Sequence, residues 1–346
     1  MSDSGAIGDA GGAPLSVGVV RDLLAAISSL RVLVVGDICL DRWCMYDPSL
    51  AEASRETGIP RVAVMSYEAT PGAGGTVANN LVAMGVKEVG VLGVQGDDGA
   101  GFELRRALAS LRIESGYMVM DPRAQTFTYT KYLNLTTGNE DLPRTDFINA
   151  KPWSAGVEAR VIAQLRRAAA EADAILVSDQ AETHEGGVVT AGVREALSAI
   201  ARTGAHRTVW VDSRMRAEHF RDVIVKTNEQ ESWMACDRLG IARDPSLLLR
   251  HTKAAMFIVT HGGDGVDVFR SEGAQFVSTD RVEEPVDICG AGDSFSAGAA
   301  MALAATGDPV LAARFGNLVA SITIMKKGTG TASPDEILHA AECVKR

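Results

Sequence analysis

The feature that most constrains this chain is an alternation. Short, nearly uninterrupted apolar runs include RVLVVGD (31–37), VGVLGVQG (89–96), AILVSD (174–179), TVWVDS (208–213) and AMFIVTHG (255–262). Between them lie stretches with apolar residues at helical spacing: RDLLAAISSL (21–30), GAGFELRRALASL (99–111), VEARVIAQLRRAAAEA (157–172) and VREALSAIARTG (193–204). A strand that is apolar on both faces must be covered on both faces. Strands of that kind alternating with helices predict a largely parallel sheet between two helical layers. A chain of 346 residues with 46% hydrophobic content can bury such a core.

Two regions break the rhythm. IPRVAVMSYEATPG (59–72) and TFTYTKYLNLTTGNEDLPRTDF (126–147) carry β-branched and aromatic residues in partial alternation. They read as antiparallel strands with polar faces, forming a small sheet outside the main layer as a lid or an interface. Val62, Val64, Phe127 and Tyr129 are apolar groups that a thin sheet buries poorly, which points to a homodimer through the lids.

Charge and cysteine content exclude several classes. A net charge of −10 argues against a nucleic-acid partner, since phosphate backbones demand clustered Lys and Arg. Five scattered cysteines without a C-x-x-C pattern give neither a disulfide framework nor a zinc site, and imply a reducing cytoplasm. Residues 1–16 read as a flexible tail without the basic and apolar regions of a signal peptide, and residues 17–346 as one domain. No apolar run is long enough for a membrane span.

The chemistry concentrates in DICGAGDSF (287–295). If a helix starts near Asp293, the amides of Gly290, Ala291 and Gly292 converge at its positive end and form an anion site. Asp293 then presents a carboxylate to the same spot, as a base facing an arriving phosphoryl group. A plain Asp cap after a Gly turn reads equally well from this segment alone. Neither a Walker-type loop nor a G-x-G-x-x-G fingerprint is present.

The segment resembles the C-terminal signature of the PfkB, ribokinase-like family of sugar kinases, matched at Asp287, Gly290, Ala291, Gly292 and Asp293. Other motifs follow in family order. GDICLD resembles the first-strand ending that binds sugar, with Asp41 the match and Asp37 beside it. GAGGTVANNLVAMG resembles the N-terminal signature through Gly74, Gly75 and Asn79. VKTNEQE resembles the N-x-x-E segment, giving Asn228 and Glu231, the latter near magnesium; VTHGGDG supplies Thr260, Gly262 and Gly265 for the nucleotide, and Asn317 takes the position near the base.

Within the family the chain looks most like the heptose-phosphate kinase branch, through GDICLDRW, NEDLPRTDF with Arg144, and ILVSDQ with Asp179. It departs from that branch in three ways. A longer QAETHEGG turn lacks the usual lysine, Cys289 replaces a threonine, and no nucleotidyltransferase segment follows. Arg42, Lys131, Arg144 and His184 are candidates to replace the lost positive charge.

The resemblance implies a ribokinase-like three-layer α/β/α fold with a mostly parallel central sheet and a β-sheet lid, its strands at about 42–72 and 117–147. It implies an ATP- and Mg2+-dependent sugar or sugar-phosphate kinase, with a K+ or similar monovalent-cation site and a dimer through the lid. The alternatives are a nucleoside or small-alcohol kinase of the same fold, and a non-catalytic sugar- or nucleotide-binding regulator.

Overall fold

A computed structural model describes residues 8–9, 15–204 and 208–343. The first part of the chain forms β1 (Gly8–Asp9), α1 (Val17–Ile27), β2 (Arg31–Gly36), β3 (Ile38–Tyr46), β4 (Val64–Ala73), α2 (Gly74–Ala83), β5 (Glu88–Leu92), β6 (Val94–Gln95) and α3 (Gly99–Ser110). The middle forms β7 (Val119–Met120), β8 (Thr128–Asn134), β9 (Thr145–Phe147), α4 (Ala155–Ala169), β10 (Ala174–Asp179), α5 (Ala191–Arg202), β11 (Thr208–Ser213) and β12 (Ile224–Asn228). The last part forms α6 (Glu229–Leu239), α7 (Pro245–Thr252), β13 (Met256–Thr260), β14 (Gly265–Arg270), β15 (Gly273–Ser278), α8 (Ala291–Thr306), α9 (Pro309–Thr323) and α10 (Pro334–Cys343).

The main sheet has nine strands in the order β1-β15-β14-β13-β12-β11-β10-β2-β5. All its pairs are parallel except β13–β14 and β14–β15. The two-residue alternation of side chains explains the continuous apolar runs. In β2, Val32 and Val34 pack toward α1, α2, α8, α9 and α10, while Leu33 and Val35 pack toward α4, α5, α6 and α7. Each such side chain fully withdrawn from water contributes about 1.5–3 kcal/mol.

The Ala-rich helix after Asp293 is buried on nearly every side from Ser294 to Leu303. Gly298 and Gly316 let α8 and α9 approach closely, because a Cβ at either position would meet Val319 or Phe295 at under 3 Å.

The second sheet is the lid, in the order β4-β3-β8-β9. It begins at Ile38, immediately after main-sheet strand β2, and uses 64–73, 128–134 and 145–147. Residues 119–120, expected in the lid, instead pair with 94–95 in a separate ribbon. The lid strands are also not all antiparallel: β3 pairs antiparallel with β4 but parallel with β8. The chain reaches β8 only after α2, β5 and α3, a crossover long enough for parallel pairing.

In the tail, Gly8–Asp9 pairs in parallel with Gln275 and Phe276, and Ser16 caps α1. Residues 1–7 and 10–14 of the expected flexible tail lie outside the described residues.

The main sheet hands over to the lid at Gly36, which holds φ +133. A Cβ there would overlap the backbone carbonyl of Ser178 on the neighbouring strand. Gly36→Ala is therefore expected to lower unfolding free energy by at least about 2 kcal/mol, read as a lower urea midpoint.

Candidate active site

Between the lid and the ends of the parallel strands lies a cavity of about 150 Å3. The C-terminal edge of an open parallel sheet is where strand ends leave room for ligands. The lid contributes Asp41, Arg42, Trp43, Tyr129, Lys131 and Arg144, and the start of α2 adds Ala73 and Thr76. The main layer closes the other side with Gln180, Glu182, Arg214, Cys289, Gly290, Asp293 and Thr329. Asp41 and Asp293, far apart in sequence, face one space.

Asp37 does not line this space. It is fully buried, and its carboxylate accepts hydrogen bonds from the amides of Gln180 (2.9 Å), Ala181 (2.7 Å) and Val188 (2.9 Å). Burial, with the negative charge of Asp179 next, raises its pKa to about 6, against those three amides. Asp37 thus gathers both ends of the long QAETHEGG turn.

Asp179 is also structural in its contacts. It accepts the Ser213 hydroxyl at 2.6 Å and pairs with Arg216 at 2.7 Å, and Arg216 holds the carbonyls of Ala181 and Thr183. The turn then delivers Gln180 and Glu182, rather than Asp179, to the cavity.

Asp41 sits within the lid, because β3 starts at Ile38. Its register partner on β8 is Tyr129, and Trp43 faces Lys131. Alternate residues of adjacent strands share a face, so these four side chains turn together toward the cavity. Gly72 leaves room for the Asp41 carboxylate, which occupies the place a Cβ would take. Burial raises the Asp41 pKa to about 6, opposed by Lys131 and Arg144.

The cations are held in place. Lys131 lies 4.8 Å from the Trp43 ring centre and pairs with Glu140 at 3.4 Å. Arg144 lies 4.8 Å from the Tyr129 ring centre and forks onto Asp146 at 2.7 Å. Arg42 pairs with Glu103 at 3.0 Å, and Arg214 with Glu182 at 2.7 Å. His184 is exposed and does not line the cavity.

Gly74, Gly75 and Asn79 do not line the cavity either. Both glycines are buried in the first turn of α2, where a Cβ would meet Ile38 or overlap Pro71. Ala73, at φ 51, and Thr76 take the lining positions of this segment. Asn79 is half-buried on α2, and its fully buried neighbour Asn80 gives its amide to the Thr76 carbonyl.

At the 287–295 segment, Gly290 adopts the left-handed conformation at φ 78 and α8 starts at Ala291. The Ala291 amide is committed to the Ile288 carbonyl at 3.2 Å, so it does not point outward as expected. The amides of Gly292 and Asp293 have no protein acceptor among the described residues, as the first turn of a helix dictates. Asp287 shapes the loop, accepting from the amides of Cys289 and Gly328.

Asp293 has its pKa raised to about 7 by burial and then by the charge of Asp212, with Lys226 and Arg214 opposing. Under this helix start lies a buried pair that motif reading missed: Lys226 Nζ donates to Asp212 at 2.8 Å, and Ser296 donates to the same oxygen at 3.1 Å. A Cβ on Gly292 would stand 3.1 Å from Lys226 Nζ. The ammonium therefore lies directly beneath the anion site. Burial alone would push its pKa down, but Asp212 and Glu231 hold it up. Cys289 is exposed in this structure, yet its thiol pKa is raised by partial burial, so thiolate reactivity is weakened.

The expected nucleotide residues gather on adjacent strand ends, outside the cavity. Asn228 and Thr260 are register partners at the ends of β12 and β13. Asn228 and Glu231 form a reciprocal capping box at the start of α6. Gly262 and Gly265 form the β13–β14 turn, next to His261, which binds Asp267 at 2.9 Å and Glu229 at 3.4 Å. On α9, which packs on β14 and β15, the Asn317 side-chain amide nitrogen is buried without an acceptor.

A Mg2+ ion would be held here by few protein ligands, since that ion keeps several waters and phosphate oxygens. The donor set fits. Glu231 is held above its ordinary pKa by burial and by the Asp212 charge, a cost that a nearby cation relieves.

The fold is of the ribokinase type. Residues 30–336 match the model of the pfkB family carbohydrate kinases, and the chain belongs to that family. Among curated proteins it is similar to the bifunctional protein HldE of Pelobacter propionicus, 29% identical over 328 residues, covering 93% of this chain. It is also similar to HldE of Mesorhizobium japonicum, 30% identical over 327 residues and 92% of this chain. The chain spans 65% and 63% of those two relatives' own lengths.

Among solved structures it resembles the tetrameric inhibited form of phosphofructokinase-2 from Escherichia coli, with TM-score 0.69, 18% identity, and coverage of 92% of this chain and all of the other. Arabidopsis thaliana ribokinase complexed with ribose and ATP gives TM-score 0.65 at 16% identity, with 91% and 99% covered. At such identities these two show the shared fold.

The raised pKa of Asp293 has a stability consequence. Between its unfolded value near 3.8 and its folded value of about 7, the folded state binds more protons, so stability falls as pH rises through that window. Asp293→Asn removes the buried charge. It is expected to melt higher than wild type at pH 8, with the gap closing toward pH 4, as read by calorimetry.

Proposed function

We propose that the protein transfers the γ-phosphoryl group of ATP to a hydroxyl of a sugar that already carries a phosphate. The observation that carries this reading is one cavity joining Asp41 and Asp293 to the cations of Lys131, Arg144 and Arg214, whereas Arg42 turns to the other lid face and Glu103. Two carboxylates suit a polyol, one to hold hydroxyls and one to remove a proton. The surrounding cations suit a phosphate, with Arg144 and Arg214 able to present planar forks to its oxygens. A heptose 7-phosphate is the favoured acceptor, on the resemblance of the lid and strand-end motifs and the likeness to the HldE proteins.

In this reading Asp41 orients the sugar through its hydroxyls. Asp293 accepts the proton of the attacking hydroxyl, whose oxygen bonds to the γ-phosphorus as ADP departs. The amides of Gly292 and Asp293 meet the charge on the moving phosphoryl group, backed by the Lys226 ammonium below. Asn228, Thr260, Gly262, Gly265 and Asn317 hold the nucleotide, the last supplying its unpaired donor to the base. Mg2+, near Glu231, would neutralise the phosphate charge. Asp37, Asp179 and the Gly74–Gly75 turn keep the walls in place. The lid excludes water, which limits ATP hydrolysis.

A coupled ADP-release assay with heptose 7-phosphate, fructose phosphates, ribose and unphosphorylated hexoses tests the acceptor. Phosphorylated sugars are expected to exceed their unphosphorylated counterparts by at least about tenfold in kcat/KM, the worth of one charge-assisted contact. Equal or better turnover of free sugars would defeat the reading. Asp293→Asn is expected to lower kcat by about 10²–10⁴. Because the base works ionised, wild-type kcat should fall as pH drops through about 7, and this limb should vanish in the variant.

The dimer forms through the lid. Ile59 and Val62 before β4, Val64, Met65 and Tyr67 in β4, and Phe147 in β9 are exposed. Phe127, named with them from the sequence, is instead buried with Cys39 and Ala181, and Tyr129 packs against that group. Light scattering should give a dimer mass, and Met65→Glu together with Val64→Glu should give a monomer.

A further inference from the structure

A second cavity, of about 730 Å3, opens between α5 and the segment that precedes β12, and shares no lining residue with the cavity described above. Its walls carry Arg194, Arg202, Arg221 and Lys253, with His219, against only two carboxylates, Glu195 and Asp222. Asp222 is already engaged, by Arg202 at 2.8 Å and by the Ser198 hydroxyl at 2.7 Å. Arg194, Arg221 and Lys253 make no ion pair among the described residues, while His219 stands 3.8 Å from the buried Glu218 carboxylate. Arg194 lies 5.9 Å from the Phe220 ring centre and donates one nitrogen to the Val189 carbonyl. Arg221 donates one nitrogen to the carbonyls of Glu218 and Phe220 and turns the other toward His251 at 3.1 Å.

The chain carries 44 acidic against 34 basic residues, so carboxylates to neutralise such a group are plentiful, yet few are spent here. The backbone is strained at the same place: Asp222 (φ 62) and Lys253 (φ 50) both hold left-handed conformations disfavoured for residues other than glycine. Glycine at 253 would end α7 more easily; lysine there puts an ammonium on the cavity wall.

We propose that this cavity is a binding site for a small phosphate-bearing polyanion. Guanidinium groups and an ammonium from three separate segments line one space, a concentration of positive charge that suits phosphate oxygens. The space exceeds what a single phosphate fills, so a pyrophosphate group is the smallest ligand that reaches several of the cations at once.

The test is titration calorimetry with inorganic pyrophosphate on the full chain, its nucleotide site filled by a saturating non-hydrolysable ATP analogue. One pyrophosphate site should remain. Lys253→Gly removes the ammonium while relaxing the left-handed backbone, so it does not compromise folding. It should weaken that remaining binding at least about tenfold, as loss of a charge-assisted contact does. Arg221→Gln should do the same, and both variants should keep wild-type affinity for the ATP analogue. Absence of pyrophosphate binding under analogue saturation, or residual binding that neither substitution changes, would overturn the proposal.

Discussion

The Asp37 carboxylate is the interaction on which the active-site architecture depends. An isolated buried carboxylate is strongly disfavoured, so it requires donors from its surroundings. Three amides from the turn after β10 supply them. Asp37 also stands between the last main-sheet residue, Gly36, and the first lid residue, Ile38, and its carbonyl accepts the amide of Gly74 at the start of α2. One residue therefore ties together the lid hinge, the α2 turn and the loop bearing Gln180 and Glu182. The adjacent Asp179–Arg216 pair locks the same loop from the other side, with Arg216 reaching carbonyls that would otherwise lack donors.

The second organising element is electrostatic. The start of α8 offers free amides, and the buried Lys226 lies beneath them. Lys226 is kept charged by Asp212, and Asp212 in turn raises the pKa of Asp293. A pair of opposite charges thus supports an anion above it while leaving the neighbouring carboxyl poised near neutrality. In a low-dielectric setting small displacements of such a pair matter, which explains why α8 is buried on almost every side and packed closely on α9.

Much of this was legible in the sequence. The layers followed from strand runs that alternate between two cores, as Val32 and Leu33 do in β2. The lid followed from segments without helical period. Asp41 and Asp293 do share a cavity, and Asn228, Thr260 and the 262–265 turn do sit on adjacent strand ends. What motif reading could not separate was contact from support. Asp37 and Asp179 stand at main-sheet strand ends and read from sequence as companions of Asp41, but their carboxylates turn into the protein and bind amides or Arg216. Gly74 and Gly75 have the look of a ligand cradle, yet Ile38 and Pro71 fill the space beside them. Arg214, one residue beyond a strand end, carried a signal that a search of all strand ends would have caught.

The sequence by itself determined the layered α/β architecture, the family, and the helix start that bears Asp293, because these rest on local periodicity and on motifs of adjacent residues. Tertiary structure decided which carboxylates face the cavity, which cations surround them, and that Lys226 lies under Gly292. Those outcomes depend on the register between β3 and β8 and on the way loops from β10 and β11 fold over the sheet edge. They join residues far apart in the chain, and no local pattern encodes the direction in which a side chain turns when its partners come from distant strands.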